Sequence, residues 1–147
     1  MASYAENRKA RFDYEVLEKF EAGIELVGAE VKSVRGGQIS LEGSFVIVRG
    51  GEAFLINANV PPYQPANAPK DYEPLRNRKL LLTKKEIGEL EISGKNKSLT
   101  IVPISVYNKG RKIKVEIALA KGKKKFDKRE TIKKRETDRE VRREYKR

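Results

Sequence analysis

A long stretch of alternating apolar and polar residues near the N-terminus constrains the fold of this chain more than any other feature. Between residues 14 and 26 every second position is apolar except Glu18. This period-two pattern predicts a half-buried β-strand. A strand of this length must coil, and Gly23 is a natural place for a bend or a bulge. Glu21 points away from the apolar face, which comprises Tyr14, Val16, Phe20, Ala22, Ile24 and Leu26.

The next segments have the patterns of a helix and a hairpin. Val27, Val31 and Val34 take helical spacing before a pair of glycines, which predicts a short helix over 27–35. Residues 45–49 and 53–60 are two strand-like runs, and Gly50-Gly51 between them is a hairpin signal of the two-residue type. The expected core face of the second run comprises Phe54, Ile56, Ala58 and Val60.

A proline-rich connection leads into a second helix. Residues 61–79 hold five of the six prolines, and we assign no role to the loop over 61–71. Connections of this length are uncommon in small domains unless they are functional or mobile. The capping-box pattern Thr83-Lys84-Lys85-Glu86 predicts that a helix begins at Thr83. The residues of this helix expected to face the core are Ile87, Leu90 and Ile92.

Two more alternating runs complete the folded part of the chain. Pro103 lies inside the run over 100–106, which implies an edge strand or a bulge. The last run follows a turn at 108–110 and continues to Leu119. Around five strands and two short helices in about 120 residues predict a mostly β fold, namely a small closed antiparallel barrel of the OB type. A β-sandwich is the alternative, but the long coiling first strand favours the barrel.

The last segment, residues 121–147, carries most of the charge. It holds fourteen Lys and Arg against six Asp and Glu, so it supplies +8 of the net charge of +12. Its few apolar residues form no stripe that could dock on a core. We therefore expect a basic N-terminal arm over 1–12, an OB-like barrel domain over 13–120, and a basic tail over 121–147 that is disordered in the free protein.

Composition argues against catalytic and membrane roles. The chain has no cysteine and no histidine, so it lacks thiolate chemistry, the usual general base and the commonest metal ligand. Its acidic residues are scattered singly among lysines, and its glycine pairs are turn signals. No apolar run approaches the roughly 18 residues of a membrane span, and the start has no apolar signal core. We predict a cytoplasmic protein that is not an enzyme, uses no cofactor or metal and binds no membrane.

Nucleic acid is the partner that the charge favours, because a strongly basic chain attracts polyanions. OB-type barrels mostly bind single-stranded or structured nucleic acid. A basic arm, a barrel and a basic tail suggest a ligand larger than the barrel, such as folded RNA or a ribonucleoprotein. Charge alone does not separate RNA from DNA, so a generic histone-like DNA-coating protein stays as the alternative.

Five stretches of the chain carry a family resemblance. They are Asn7-Arg8-Lys9-Ala10-Arg11 with Asp13-Tyr14, Phe20-Glu21-Ala22-Gly23, Glu30-Val31-Lys32-Ser33, the stretch over 74–82, and the stretch over 118–129. Each stretch alone is weak, but all five in this order are highly specific. Together they resemble the SmpB family, the SsrA-binding proteins of bacterial trans-translation. The resemblance implies an OB-fold barrel with flanking helices.

The resemblance also implies a translation-rescue factor. Such a protein binds the tRNA-like domain of tmRNA, the SsrA RNA, and carries it into the empty A site of a ribosome stalled on a message without a stop codon. The barrel stands where the anticodon arm of a tRNA would be. The tail becomes helical in the vacant mRNA channel, against small-subunit rRNA near the decoding region. The implied partners are tmRNA and the ribosome, and the protein is expected to be a monomer.

Site residues follow from the same resemblance. Glu21 matches an RNA-contacting glutamate, and a carboxylate can accept hydrogen bonds from base amino groups; its alternative is an ordinary exposed strand carboxylate. Leu81 matches a leucine tied to tmRNA binding, with a place in the core as its alternative. The other expected tmRNA-binding residues are Asn7, Arg8, Lys9, Arg11, Lys121 and Gly122. The expected ribosome-binding residues of the tail are Lys123, Lys124, Lys125, Phe126, Asp127, Lys128 and Arg129.

Overall fold

The computed structural model describes residues 3–64, 66 and 70–122, which form seven strands and three helices. The two strands that the sequence patterns did not reveal are the first and the fifth, which are both short. In chain order the elements are β1 Ser3–Glu6, α1 Arg8–Asp13, β2 Tyr14–Ile24, α2 Gly28–Arg35, β3 Phe45–Arg49, β4 Glu52–Ile56, β5 Arg78–Leu81, α3 Lys84–Ser93, β6 Leu99–Lys109 and β7 Lys112–Gly122.

Six of these strands bond in a closed ring. The order around the ring is β6-β3-β4-β5-β2-β7, the β6–β7 pairing closes it, and β1 pairs with β6 as an additional strand. The described pairings are antiparallel. The long strands β2 and β6 both pair with β7 along most of its length. The prediction of a mostly β fold with a small closed antiparallel barrel is therefore confirmed.

A bulge in β2 changes which face of the strand is buried. The register with β7 slips between Val16 and Glu18, which makes Leu17 the extra residue. Because one extra residue exchanges the two faces of a strand, Val16 packs in a small cluster beneath α1, whereas Phe20 packs in the main core. The expectation of one apolar face along the whole strand is wrong for this reason. The bulge lies at Leu17, not at Gly23.

Strand β6 carries a second bulge, as Pro103 predicted. Its register with β7 slips between Pro103 and Ser105. Val102 consequently lies in the small cluster and Val106 lies in the main core. The alternative of an edge strand is wrong, because β6 pairs with β1, β3 and β7.

Strand β4 buries the face opposite to the one expected. Ala53 and Leu55 are fully buried, whereas Phe54 and Ile56 are half-buried. The strand ends at Ile56, and Asn57 follows in a left-handed conformation with φ of 63°. This residue interrupts the alternation. The expected face is therefore buried only in its later part, at Ala58 and Val60.

The local signals for turns and helix ends are confirmed. Gly50 and Gly51 have φ of 60° and 74°, the left-handed pair that a two-residue hairpin turn requires. Helix α2 begins directly after Val27. In front of α3, the Glu86 N–H donates to the Thr83 hydroxyl at 3.2 Å and the Thr83 N–H donates to the Glu86 carboxylate at 3.1 Å. These two bonds form the predicted capping box.

Helix α3 turns one apolar side chain fully toward the barrel. Leu90 is buried and Ile87 is half-buried, as expected. Ile92 is 72% exposed, so the expectation that it faces the core is wrong. Residues 90 and 92 lie about 200° apart on a helix, so they cannot share a narrow apolar face.

An ion pair buried beside the barrel fixes the proline-rich connection in front of β5. Glu30 on α2 and Arg78 on β5 are 1% and 0% exposed, and Arg78 Nε donates to Glu30 Oε2 at 2.7 Å. Arg78 also donates to the carbonyls of Ala58 at 2.9 Å and Pro74 at 3.0 Å. Arg76 donates to the second carboxylate oxygen of Glu30 at 2.6 Å. The segment over 74–78 is thereby tied to α2.

The structure divides the chain differently from the expectation at both ends of the barrel. Strand β1 pairs with β6, and Ala10 of α1 is buried, so residues 3–12 belong to the fold and do not form a separate arm. Strand β7 continues to Gly122, which includes the first two residues of the expected tail in the sheet. Residues 123–147 lie outside the described residues. Among the described helices, none is long and apolar enough to cross a membrane.

Candidate nucleic-acid interface

Glu21 lies at the centre of a polar cluster on the outer surface of the barrel. Its partner in the register of β7 is Glu116. The Tyr107 hydroxyl, from β6, donates to Glu21 Oε2 at 2.5 Å, and Lys109 Nζ donates to Glu21 Oε1 at 2.9 Å. Because β7 lies between β2 and β6, both contacts pass over β7. We call Glu21, Tyr107 and Lys109 the Glu21 cluster.

The Glu21 cluster keeps its carboxylate ionised. The hydrogen bonds from Tyr107 and Lys109 lower the pKa of Glu21 below its usual range, and the charges of Lys109 and Lys114 act in the same direction. Burial and the hydrogen bond to Glu21 raise the pKa of Tyr107 above its usual range, so its phenol remains a donor. At neutral pH the cluster therefore presents a carboxylate with one donor already bound to each oxygen.

Lysines surround this carboxylate. Lys114 stands opposite Tyr107 on β7, and Lys19 Nζ lies 3.5 Å from Glu116 Oε1. The Glu21 side chain is 36% exposed, so a ligand can reach it. An accessible acceptor flanked by cations suits a nucleic acid, since the cations can pair with phosphates while the acceptor contacts a base or a sugar hydroxyl.

Leu81 lies on the same outer surface. It is 50% exposed, whereas Leu80 before it is in the core with 1% exposure. Its partner in the register is Gly23 of β2, and a Cβ on Gly23 would lie 3.2 Å from the Cβ of Leu81. Residues two apart on a strand share a face, so Gly23 and Leu81 are on the same side of the sheet as Glu21. The alternative place of Leu81 in the core is therefore wrong.

A cleft of about 310 Å³ opens beside Leu81, between α2 and the turn that joins β6 to β7. The Arg35 guanidinium of α2 crosses it and donates to the Arg111 carbonyl at 3.0 Å. The basic residues that line the cleft are Arg35, Arg111, Lys112 and Lys114. They make the outer surface near Leu81 electropositive.

Asn7 is part of the fold. It is buried, and its side-chain oxygen accepts a hydrogen bond from the Ala10 N–H at 3.1 Å. Its side-chain nitrogen donates to the carbonyls of Leu41 at 3.3 Å and Pro103 at 3.0 Å. These bonds cap α1 and fasten it to β6. The structure thus differs from the expected surface contact with RNA, and Asn7 positions the basic residues that follow it.

The basic residues of α1 and of the end of β7 lie at one end of the barrel. Arg8, Lys9 and Arg11 are exposed on α1, which packs against β2 and β6. Lys121 and Gly122 are also exposed, and they pair with the first two residues of β2, directly after α1. We call these five residues the basic end.

The residues predicted to bind tmRNA therefore form two groups. Glu21 and Leu81 share the outer surface, and the remaining surface residues share the basic end. Gly122 lies six positions after Glu116, the register partner of Glu21, which corresponds to roughly 20 Å along the strand. The predicted ribosome-binding residues 123–129 lie outside the described residues.

Sequence reasoning missed Tyr107 and Lys109. Both follow the bulge in β6 at alternate positions, and this spacing is the local signal that could have placed them on one face. Their meeting with Glu21 depends on β7 lying between β2 and β6. No local pattern in the sequence reports that arrangement.

The chain matches known proteins over nearly its whole length. A family model described as SmpB protein matches residues 4–147. The SsrA-binding protein of Sulfurihydrogenibium sp. is 54% identical over 142 residues, which cover 97% of this chain and 93% of the relative. The SsrA-binding protein of Mesoplasma florum is 52% identical over 140 residues, which cover 95% of this chain and 94% of the relative.

The fold also matches a solved structure. The similar chain belongs to a structure described as "tmRNA-SmpB: a journey to the center of the bacterial ribosome", with a TM-score of 0.69 and 45% sequence identity. The match covers 82% of this chain and 85% of that chain. Family model, relatives and fold agree with the resemblance of the five sequence stretches, and the chain belongs to the SmpB family.

Proposed function

We propose that this protein binds the tRNA-like domain of tmRNA and delivers it to the empty A site of stalled ribosomes for trans-translation. Membership of the SmpB family is the observation that carries this proposal, since relatives of nearly the same length are SsrA-binding proteins. The similar solved chain is described together with tmRNA and the bacterial ribosome. The net charge of +12 suits two RNA partners.

The two groups of surface residues contact different chemical groups of tmRNA. Glu21 and Leu81 contact bases or sugars on the outer surface, where an acceptor and an exposed apolar side chain lie on one face. The basic end contacts phosphates through Arg8, Lys9, Arg11 and Lys121, because exposed cations at the rim of a fold are suited to the RNA backbone. Gly122 belongs to the same end.

The tail is assigned to the ribosome. Residues 123–129 continue the chain from the basic end and carry five Lys or Arg together with Phe126. The tail enters the vacant mRNA channel and becomes helical against small-subunit rRNA, so a full-length message would exclude it. The protein acts as a monomer in the cytoplasm, with no cofactor and no catalytic step of its own.

A binding comparison tests the first half of this function. The purified protein should bind the tRNA-like domain of tmRNA more tightly than a random RNA of equal length, and Glu21→Lys should weaken the former much more than the latter. Lys121→Ala should weaken both and lower the slope of log K against log salt by roughly one unit or less. Equal affinity for tmRNA, random RNA and duplex DNA would instead support a histone-like protein.

A reconstituted translation system tests the second half. On a truncated message, the protein together with tmRNA should support tagging of the nascent chain. A protein that binds the tRNA-like domain but supports no tagging would limit the function to RNA binding.

A further inference from the structure

The carboxylate of Glu21 retains free acceptor capacity on both oxygens. An ionised carboxylate has about four lone-pair sites on its two oxygens. Tyr107 occupies one site on Oε2 and Lys109 occupies one site on Oε1. One acceptor site per oxygen is left, on a side chain that is 36% exposed. The cluster is thus a pair of adjacent acceptors, and each oxygen already accepts one hydrogen bond from a residue of β6.

We propose that the Glu21 cluster binds the Watson–Crick edge of an unpaired guanine in the partner RNA, with Tyr107 and Lys109 as positioning residues. This inference rests on the proposed function and adds the group that Glu21 recognises. Guanine presents two adjacent donors, N1–H and N2–H, which match two adjacent carboxylate oxygens. The guanine must be unpaired, because cytosine would otherwise occupy both donors.

Other RNA groups fit the two acceptors less well. Adenine and cytosine place a ring-nitrogen acceptor beside their amino group, and uracil flanks its imino group with two carbonyls, so each of them brings an acceptor toward the carboxylate. A ribose hydroxyl supplies a single donor. Phosphate carries the same charge as Glu21 and is repelled. A fixed pair of acceptors therefore selects guanine by its two adjacent hydrogen-bond donors and not by charge.

The surroundings of Glu21 can hold the rest of such a nucleotide. Gly23, two residues along β2, carries no side chain, and the half-exposed Leu81 lies beside it. The Leu81 side chain fills the space above Gly23, which makes this part of the surface an apolar floor of roughly 7 Å along the strand, close to the length of a purine. Lys19 and Lys114 lie on the same face and can pair with flanking phosphates.

Interference mapping with inosine tests the guanine directly, because inosine is guanine without the 2-amino group. The probe is the tRNA-like domain of tmRNA transcribed with sparse phosphorothioate-tagged inosine, separated into protein-bound and free fractions. With the unmodified protein, inosine at one or a few unpaired guanines should be depleted from the bound fraction. Glu21→Gln should remove this depletion and weaken binding about tenfold or more, as expected for loss of a bidentate base contact.

A matched control lies on the neighbouring strand. Glu116→Gln removes one negative charge from the register partner of Glu21, so it changes the local electrostatics to a similar extent. It should leave the inosine depletion in place. Melting temperatures of both variants check that the barrel is intact. If the unmodified protein binds the domain specifically without any inosine depletion, or if depletion persists in Glu21→Gln, the guanine inference is overturned while the proposed function stands.

The positioning role has its own readout. Tyr107→Phe keeps the ring but removes the donor to Oε2, so the pKa of Glu21 should rise and binding should be lost at a higher pH than in the unmodified protein. The other charged groups facing Glu21 are Lys19, Lys109, Lys114 and Glu116, and this substitution leaves them unchanged. Tyr72→Phe, which removes a phenol that donates to the Val60 carbonyl, is the control. An identical pH profile for Tyr107→Phe and the unmodified protein would refute the positioning role. If the unmodified protein binds the tRNA-like domain of tmRNA no more tightly than random RNA, the proposed function fails and the inference fails with it.

Discussion

Arg78 and Glu30 form a fully buried ion pair in which all three guanidinium nitrogens donate to acceptors of the fold. Arg78 Nε binds the carboxylate, Nη1 binds the carbonyls of Ala58 and Arg76, and Nη2 binds the carbonyl of Pro74. The Val27 N–H donates to the same carboxylate at 3.0 Å. This pair joins the start of α2, the end of the proline-rich connection and β5. The connection is therefore held at its C-terminal end by Arg78, together with the bond from Arg76 to Glu30.

Removing one partner of this pair should cost much more stability than removing an exposed ion pair. Glu30→Gln leaves Arg78 buried with its charge uncompensated, and a loss of about 3–5 kcal/mol in the free energy of unfolding is expected. Glu52→Gln breaks the exposed contact with Lys79 and should cost less than about 1 kcal/mol. Urea unfolding of the two variants measures both values. Similar losses for both would show that the buried pair has no special role.

The same carboxylate should make the protein sensitive to acid. Burial raises the pKa of Glu30, but the hydrogen bonds from Arg76, the Val27 N–H and Arg78 outweigh it and lower the pKa below its usual range. A lowered pKa in the folded state contributes stability above the unfolded pKa, and this contribution disappears as the pH falls through the folded pKa. The melting temperature should therefore fall below about pH 4.3. In Glu30→Gln the fall should be shallower, and an unchanged slope would contradict this account.

The capping box should account for a measurable part of the stability of α3. Thr83→Ala removes the acceptor for the Glu86 N–H, and a loss of about 1 kcal/mol is expected. Lys85→Ala, on the exposed surface of the same helix, should change stability by less than about 0.5 kcal/mol. Denaturant unfolding distinguishes the two. Equal effects would mean that the cap is not a determinant of where α3 begins.

Ending the chain after Gly122 separates the barrel from the tail. Among the described residues, the buried hydrophobic ones lie between Ala10 and Ala120, and we expect the melting temperature to stay within a few degrees of the full-length value. Tight binding to the tRNA-like domain should persist, whereas tagging on a truncated message should be lost. The shortened protein and the full chain are compared in the same translation system. Full-rate tagging by the shortened protein would remove the tail from the proposed mechanism.

The sequence predicted those features whose causes are local. The length of β2, the turn at Gly50 and the start of α3 each depend on neighbouring residues, and each agrees with the structure. The buried faces of β2 and β4 were predicted less well. An extra residue at Leu17 and a left-handed Asn57 change the phase of the alternation without changing its composition.

The candidate site was predictable to the same extent. Glu21 and Leu81 were assigned from a family resemblance, and the structure brings them to one face. The contact of Tyr107 with Glu21 crosses an intervening strand, so it depends on the strand order β2-β7-β6 and on no motif. Asn7 lies in a basic stretch, which concealed its role as a helix cap.

The pairing of β7 on both sides limits how the spacing between the Glu21 cluster and the basic end can change. A one-residue insertion in β7 between Glu116 and Gly122 would exchange inward and outward side chains over that part of the strand. Matched two-residue changes in β2, β6 and β7 would preserve the burial of Ile117 and Leu119, and each would move the Glu21 cluster and the basic end apart or together by roughly 7 Å. Lengthening or shortening of this barrel is thus restricted to discrete steps. If the contact points of an RNA partner shifted by half of such a step, only substitutions of side chains could restore the contacts, because the strand length changes in whole steps.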